Sequence, residues 1–256
     1  VLALAVRARG RPPEPRRLFQ GKRPGMAKDA AELNPNAEVL SSRAITMLLS
    51  VVRAKATRQR DFVVCADRLM SLLAEEALSR LATETRVTTP CGECDGLEPL
   101  DGAGLCVVDI IRSGGILLEA VRKLVPDCKT AKILIQRDEE TSEARLFYSK
   151  LPDNIGGLKV MITDPMLATG GSVLLAIKEL KAAGVKEEDI LFVNVVASPR
   201  GVKALAEQAP AVRVLCAALD DGLDEKNFIV PGLGDFGDRY YGTTGYSEGL
   251  WGTDGK

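Results

Sequence analysis

Histidine is absent from all 256 residues. That absence removes Ser-His-Asp and Cys-His catalysis and most catalytic zinc sites, which use imidazole as base or ligand. No apolar run approaches the roughly 18 residues a bilayer span requires, so no membrane segment is expected. Cysteine is sparse: Cys65, Cys91, Cys94, Cys106, Cys128 and Cys216 are scattered without framework spacing, which suits a reducing compartment. Cys91-Gly-Glu-Cys94 is a lone C-x-x-C in a Pro/Gly-rich setting. With no histidine and no second pair it lacks a zinc ligand set. It also lacks the strand-to-helix context of a redox motif, so these two read as loop thiols.

Serine and threonine are missing from residues 1–25, which hold seven basic residues, one acid and four prolines. Such a stretch builds no packed element and is read as a disordered basic tail. A transit peptide, translated sequence upstream of Met26 and an RNA-binding arm all fit it, and its lack of hydroxyl residues weighs against the first. Residues 26–256 carry a net charge of −7, a poor match to nucleic acid. Hydrophobic content of 46% and charged content of 27% are ordinary for a globular chain. One domain over residues 26–243 is expected, with an extension over 244–256.

Residues 39–57 and 61–83 read as helices. In the second, Phe62, Cys65, Leu69, Leu72, Leu73, Ala77 and Leu81 recur at three- and four-residue spacing. A loop is expected around 86–104. Short β-rich runs follow at 105–111, 131–135, 158–162, 190–196 and 212–216, with helical segments at 116–124, 172–183 and 200–208 between most of them. Continuous apolar strands alternating with helices imply an α/β fold, a parallel sheet flanked by helices on both faces, preceded by N-terminal helices. Between 136 and 150 an acidic turn and Leu146-Phe-Tyr148 suggest a hairpin or arm over the site.

Such a sheet binds ligands beyond the carboxyl ends of its strands. Three segments lie there: Arg112-Ser-Gly-Gly115, Gln136-Arg-Asp-Glu-Glu-Thr141, and Asp164-Pro-Met-Leu-Ala-Thr-Gly-Gly-Ser172. In the last, an apolar run ends at a carboxylate, turns through small and hydroxyl residues and opens a helix. Free backbone N–H groups at Ala168, Thr169, Gly170, Gly171 and Ser172 would cradle a phosphate at the helix N-terminus, while Asp164 faces sugar hydroxyls. The pattern describes a phosphorylated pentose. Arg112 and Arg137 suit a second, more highly charged phosphate group, since guanidinium forks bind phosphate oxygens in pairs. A P-loop is excluded because Gly170-Gly171-Ser172 lacks the lysine. Gly232-Leu-Gly234-Asp-Phe-Gly237 fits G-x-G-x-x-G, but only 19 residues follow Gly237, without the helix, strand and acid of a dinucleotide site. A Gly-rich loop of this kind can instead read the edge of a small planar ligand with its main chain.

Taken together, Ile111-Arg-Ser-Gly114, Lys132-Ile-Leu-Ile-Gln-Arg-Asp-Glu-Glu-Thr141, Asp164 to Ser172 and Val230-Pro-Gly-Leu-Gly-Asp-Phe-Gly-Asp-Arg-Tyr-Tyr-Gly-Thr243 make the chain resemble the eukaryotic branch of the uracil phosphoribosyltransferases over about residues 39–243. The resemblance implies the type I phosphoribosyltransferase fold with a C-terminal Gly-rich base-binding loop. It implies synthesis of UMP and diphosphate from uracil and 5-phosphoribosyl 1-diphosphate, in pyrimidine salvage. It places Asp164, Pro165, Met166, Leu167, Ala168, Thr169, Gly170, Gly171 and Ser172 on the ribose 5-phosphate and ribose. Arg112 and Arg137 fall on the diphosphate, and Ile229, Gly234, Asp235 and Phe236 around uracil. Asp235 would also face the donor or its Mg²⁺; no other metal ligand is expected. Arg112, Arg137 and Asp235 are the catalytic candidates. Pro165, where most type I enzymes carry a second acid, points to uracil over purines or orotate; Ser113 replaces a commoner alanine. The family further implies a homodimer or homotetramer in the cytoplasm, or in a plastid if the tail is a transit peptide, and leaves GTP activation open. A catalytically silent nucleotide-binding or regulatory module is the competing reading. The intact phosphate loop favours an enzyme.

Overall fold

The computed structural model describes residues 26–137 and 144–243, together with the pairs 246–247 and 250–251. The basic tail, the tip of the expected 136–150 hairpin and most of the C-terminal extension lie outside the described residues.

The main sheet runs in the spatial order Ala37–Val39, Arg213–Leu219, Ile190–Ala197, Lys159–Thr163, Leu105–Ile111, Lys129–Arg137, Ala144–Lys150. Every neighbouring pair is parallel except the last, an antiparallel hairpin. The central strands read as unbroken apolar runs because both their faces are covered; all eight residues of Ile190–Ala197 are buried. Helices Arg43–Arg53, Gln59–Ser79 and Gly114–Leu124 cover one face, through Leu48, Leu69 and Leu117 among others. Helices Gly171–Ala182 and Pro199–Gln208 cover the other through Ile177 and Leu205, joined by Ala30 of the Met26–Leu33 helix. This is the α/β architecture expected of the sequence.

Two segments differ from the sequence reading. Residues 37–39, partly assigned to a helix, form a three-residue edge strand against Arg213–Leu219, and the helix itself starts only after the Ser42 N-cap. The stretch expected as a loop around 86–104 contains most of an antiparallel ribbon, Thr83–Thr89 paired with Gly92–Glu98. Its side chains are exposed on both faces almost throughout, so the apolar alternation that marks a half-buried strand has no reason to exist there. Cys91 sits in its turn and Cys94 on its second strand, both exposed free thiols.

The order of the strands matters more than their number. From Leu105–Ile111 the chain moves outward to Lys129–Arg137 and Ala144–Lys150, then crosses back to Lys159–Thr163 on the opposite side of Leu105–Ile111. At that reversal the loops after adjacent strands diverge and leave a crevice at their carboxyl ends. Helix Pro199–Gln208 packs behind the Leu167 and Ala168 backbone of the crevice wall. Ser198 caps that helix by accepting from the Gly201 N–H at 3.0 Å and donates to the Ala168 carbonyl. A Cβ on Gly201 would stand 2.6 Å from that carbonyl and 3.0 Å from the Leu167 carbonyl, so only glycine lets the helix approach so closely.

Gly201→Ala is accordingly expected to lower stability by about 1–3 kcal/mol through overpacking against rigid backbone. Gly157→Ala, where nothing lies within 4 Å of the added methyl, should stay within about 0.5 kcal/mol. Urea denaturation of both variants checks the contrast.

Candidate active site

The crevice is a cleft of about 340 Å³ walled by three segments, Ile110 to Ser113, Asp164 to Val173 and Asp235 to Gly237, together with Ile135 of the Lys129–Arg137 strand. Strand register explains the first two. Asp109 lies opposite Thr163 in adjacent parallel strands, so Arg112 and Asp164 emerge side by side from neighbouring strand ends.

The second segment forms the cradle. Asp164 accepts from the Met166 N–H at 3.2 Å, which folds the chain back toward the sheet. The buried Pro165 carbonyl takes both the Val195 and Val196 N–H groups, at 2.9 and 3.1 Å. Met166–Leu167 then pairs with the end of Ile190–Ala197. Gly170 caps helix Gly171–Ala182 at φ 86°, a left-handed turn that glycine adopts without strain. The first N–H groups of a twelve-residue helix therefore open onto the cleft, where the helix dipole favours an anion. Ala168, Gly170 and Ser172 line the cleft, whereas Pro165, Thr169 and Gly171 support it without forming its wall.

Arg112 faces the cleft from the other strand. Its Nη1 donates to Thr243 Oγ1 at 2.9 Å and its Nη2 to Asp238 Oδ1 at 2.7 Å, with Asp235 Oδ1 at 3.6 Å. Thr243 in turn donates to Asp238 at 2.7 Å. The guanidinium is nearly half exposed and lies 5.8 Å from the Tyr241 ring centroid. Beneath it, buried Asp109 accepts from Lys132 Nζ at 2.7 Å. Burial raises the Asp109 pKa, with Lys132 opposing the shift. Arg137 ends the neighbouring Lys129–Arg137 strand, at the same edge of the sheet; its side chain, like residues 138–141, lies outside the described part of the structure.

The third wall is the start of the Phe236–Tyr241 helix. Asp235 is its N-cap, accepting from the Asp238 N–H at 2.8 Å, and stays half exposed toward the cleft. Phe236 contributes to the wall, but its ring is in the core, 5.2 Å from the Phe62 centroid and 6.3 Å from that of Tyr240. Ile229 pairs with Leu223 and is buried, and Gly234 takes φ 81° just before Asp235. Neither lines the cleft, so of the expected base-site residues Asp235 and Phe236 reach it.

Sequence reasoning missed what holds this loop. Arg53, at the end of helix Arg43–Arg53, grips Asp220 with both forks, at 2.8 and 2.6 Å. The same pair binds both polar groups of Gly232, Asp220 accepting its N–H at 2.8 Å and Arg53 donating to its carbonyl at 2.7 Å. These residues are 167 positions apart, and their only local trace is an arginine at a helix end.

The sequence profile of the family Uracil phosphoribosyltransferase matches residues 39–243. The chain belongs to the uracil phosphoribosyltransferase family. It is 43% identical over 204 residues to the uracil phosphoribosyltransferase of Dictyostelium discoideum, an alignment covering 79% of this chain and 94% of that one. To the Saccharomyces cerevisiae uracil phosphoribosyltransferase it is 42% identical over 198 residues, covering 76% and 90%. Among solved structures it is similar to the AQ2163 protein from Aquifex aeolicus, with TM-score 0.71 and 32% identity over 82% of this chain and all of that one. The mostly parallel sheet flanked by helices is the fold of the type I phosphoribosyltransferases.

The clamp under the Gly232 loop can be tested. Asp220→Ala leaves Arg53 and the Gly232 N–H without their shared partner and should cost about 3 kcal/mol, as breaking a largely buried pair does. In a double-mutant cycle with Arg53→Ala, the measured coupling should be at least about 1 kcal/mol; additivity would contradict the clamp.

Proposed function

We propose that the chain joins uracil to 5-phosphoribosyl 1-diphosphate, releasing diphosphate and forming UMP. The observation that carries the reading is the opposition, across one cleft, of an anion-binding helix N-terminus preceded by Asp164 to Arg112 and the Asp235 loop. The cradle from Ala168 to Ser172 binds the 5-phosphate through main-chain N–H groups, and Asp164 takes the ribose hydroxyls. Uracil lies beside Asp235, where main-chain groups after Gly234 meet its polar edge.

Bond exchange at the anomeric carbon passes through an oxocarbenium-like state, and negative charge grows on the departing diphosphate. A permanent cation facing that group lowers the barrier more than a strong base would. Arg112 is such a cation, already oriented by Asp238 and Thr243, and Arg137 is placed at the same edge to share the task. This chemistry needs no imidazole, consistent with a histidine-free sequence. Asp235 offers hard carboxylate oxygens at the cleft, the donor type that suits Mg²⁺. Bound there, Mg²⁺ would neutralise charge on the leaving group.

Assembly as a homo-oligomer and residence in a reducing compartment belong to the same proposal. The second is supported by six free thiols, four of them buried. No helix among the described residues is long and apolar enough to cross a membrane.

With Mg²⁺ and 5-phosphoribosyl 1-diphosphate present, chromatographic product analysis should show UMP from uracil and no nucleotide from hypoxanthine or orotate. Absence of UMP would overturn the assignment and leave a silent binding module. Arg112→Ala should lower kcat about 10²- to 10³-fold, the usual loss on removing one group that stabilises transition-state charge.

A further inference from the structure

Arg239 is a cation in the core. It is 3% exposed, and burial pulls its pKa down to about 10, which leaves it charged at neutral pH. Among the described residues no carboxylate pairs with it. Its Nη1 donates to the Val52 and Leu233 carbonyls, both at 2.6 Å, and its Nη2 to the Ala54 carbonyl at 2.9 Å. The guanidinium carbon lies 4.5 Å from the Phe62 ring centroid, and Nε has no partner.

Burying a charge without a counter-ion is costly unless fixed dipoles replace water. Here the dipoles come from two places. Val52 and Ala54 are the end of helix Arg43–Arg53, where unpaired carbonyls and the helix dipole gather negative potential. Leu233 is the middle residue of Gly232-Leu-Gly234, immediately before Asp235. A surface helix end would need no such cation, and a structural core position would be filled more cheaply by an apolar side chain. The three bonds make sense as a link between a rigid helix end and a glycine-rich segment that cannot hold its own shape.

We propose that Arg239 is the positioning residue of the base-reading loop, fixing the Leu233 to Asp235 backbone in register with the cleft. It acts through the Leu233 carbonyl and touches no substrate. The inference rests on assigning that loop to uracil. It predicts a split in substrate dependence: uracil recognition depends on Arg239, whereas the phosphate cradle, built from strand ends and helix Gly171–Ala182, does not.

The test measures KM for uracil and for 5-phosphoribosyl 1-diphosphate in the wild type, Arg239→Lys, Arg239→Met and Ile155→Ala. The last removes a buried side chain in the core on the opposite face of the sheet, outside the cleft lining. Loss of charged hydrogen bonds should raise the uracil KM about tenfold or more in Arg239→Met, with the donor KM within about twofold. Arg239→Lys, which keeps the charge without the planar fork, should recover part of the loss. Ile155→Ala should change neither KM. Equal rises in both KM values in the arginine variants, or the same uracil shift in Ile155→Ala, would overturn the proposal. If Arg239→Met does not fold, Arg239→Lys decides: wild-type KM values for both substrates overturn the inference. If the wild type itself does not turn over uracil, the functional assignment fails instead. Hydrogen exchange at Leu233 to Asp235 then tests the positioning role, and unchanged protection in Arg239→Lys contradicts it.

Discussion

Two adjacent parallel strands, Leu105–Ile111 and Lys159–Thr163, are followed by segments that leave the sheet in different directions, and every feature of the site depends on that divergence. Their register sets Asp109 against Thr163, so the Arg112 loop and the Asp164 loop begin one strand spacing apart, roughly 4.8 Å. A ligand with phosphate at one end and diphosphate at the other can bridge loops anchored at such a spacing. Neither loop could be moved to another strand without losing the crevice, because elsewhere in the parallel part of the sheet successive connections cover the ground between neighbours.

Around this crevice, loop shape is fixed by polar groups that each bind main chain. Ser198 ties Ala168 to the start of helix Pro199–Gln208, the Pro165 carbonyl receives two N–H groups of Ile190–Ala197, and Asp220 with Arg53 takes both polar groups of Gly232. Segments rich in glycine have the most conformational freedom to lose on folding. Hydrogen bonds from buried, well-oriented side chains are strong enough to offset that loss where apolar packing, which glycine cannot provide, is missing. Preorganisation of this sort is what electrostatic catalysis requires, since donors already aimed at developing charge need not reorganise during the reaction.

The five longer parallel strands were legible in the sequence to within three residues, because burial on both faces writes them as continuous apolar runs, whereas the short edge strand Ala37–Val39 was not. The cradle was legible for a similar reason: strand, carboxylate, small residues and helix follow one another in the chain. What lay hidden was either solvated or distant. Thr83–Thr89 is rich in β-branched residues, a signal that was present, yet its exposure on both faces removes the alternation by which strands are found. Arg53 meets Asp220 across 167 residues, and Arg239 meets Val52 across 187; such partners are set by the fold, and no local spacing encodes them. Phe236 shows the converse limit. Its place in a Gly-rich segment marks a binding loop, but its ring is held by Phe62 and Tyr240.

The short helix Phe236–Tyr241 brings these threads together. Asp235 caps it on the cleft side, Asp238 and Thr243 at its other turn hold the two arms of Arg112, and Arg239 between them reaches Leu233. Tyr240 secures the helix to Gln59–Ser79 twice, its hydroxyl donating to Asp67 at 2.6 Å and its carbonyl accepting from Gln59 at 3.0 Å. Nine consecutive residues thus supply one wall of the cleft and the partners that orient Arg112. The two sides are nevertheless held by separate bonds, Arg239 acting on the Leu233 carbonyl and Asp238 with Thr243 on Arg112. Because Asp238 already pairs with Arg112, a diphosphate bound as proposed would exchange one set of charge-assisted hydrogen bonds for another instead of desolvating a free guanidinium, and the net gain on binding would be correspondingly moderate. That exchange keeps the cation oriented at every stage, which matters more for lowering the barrier than tight ground-state binding does.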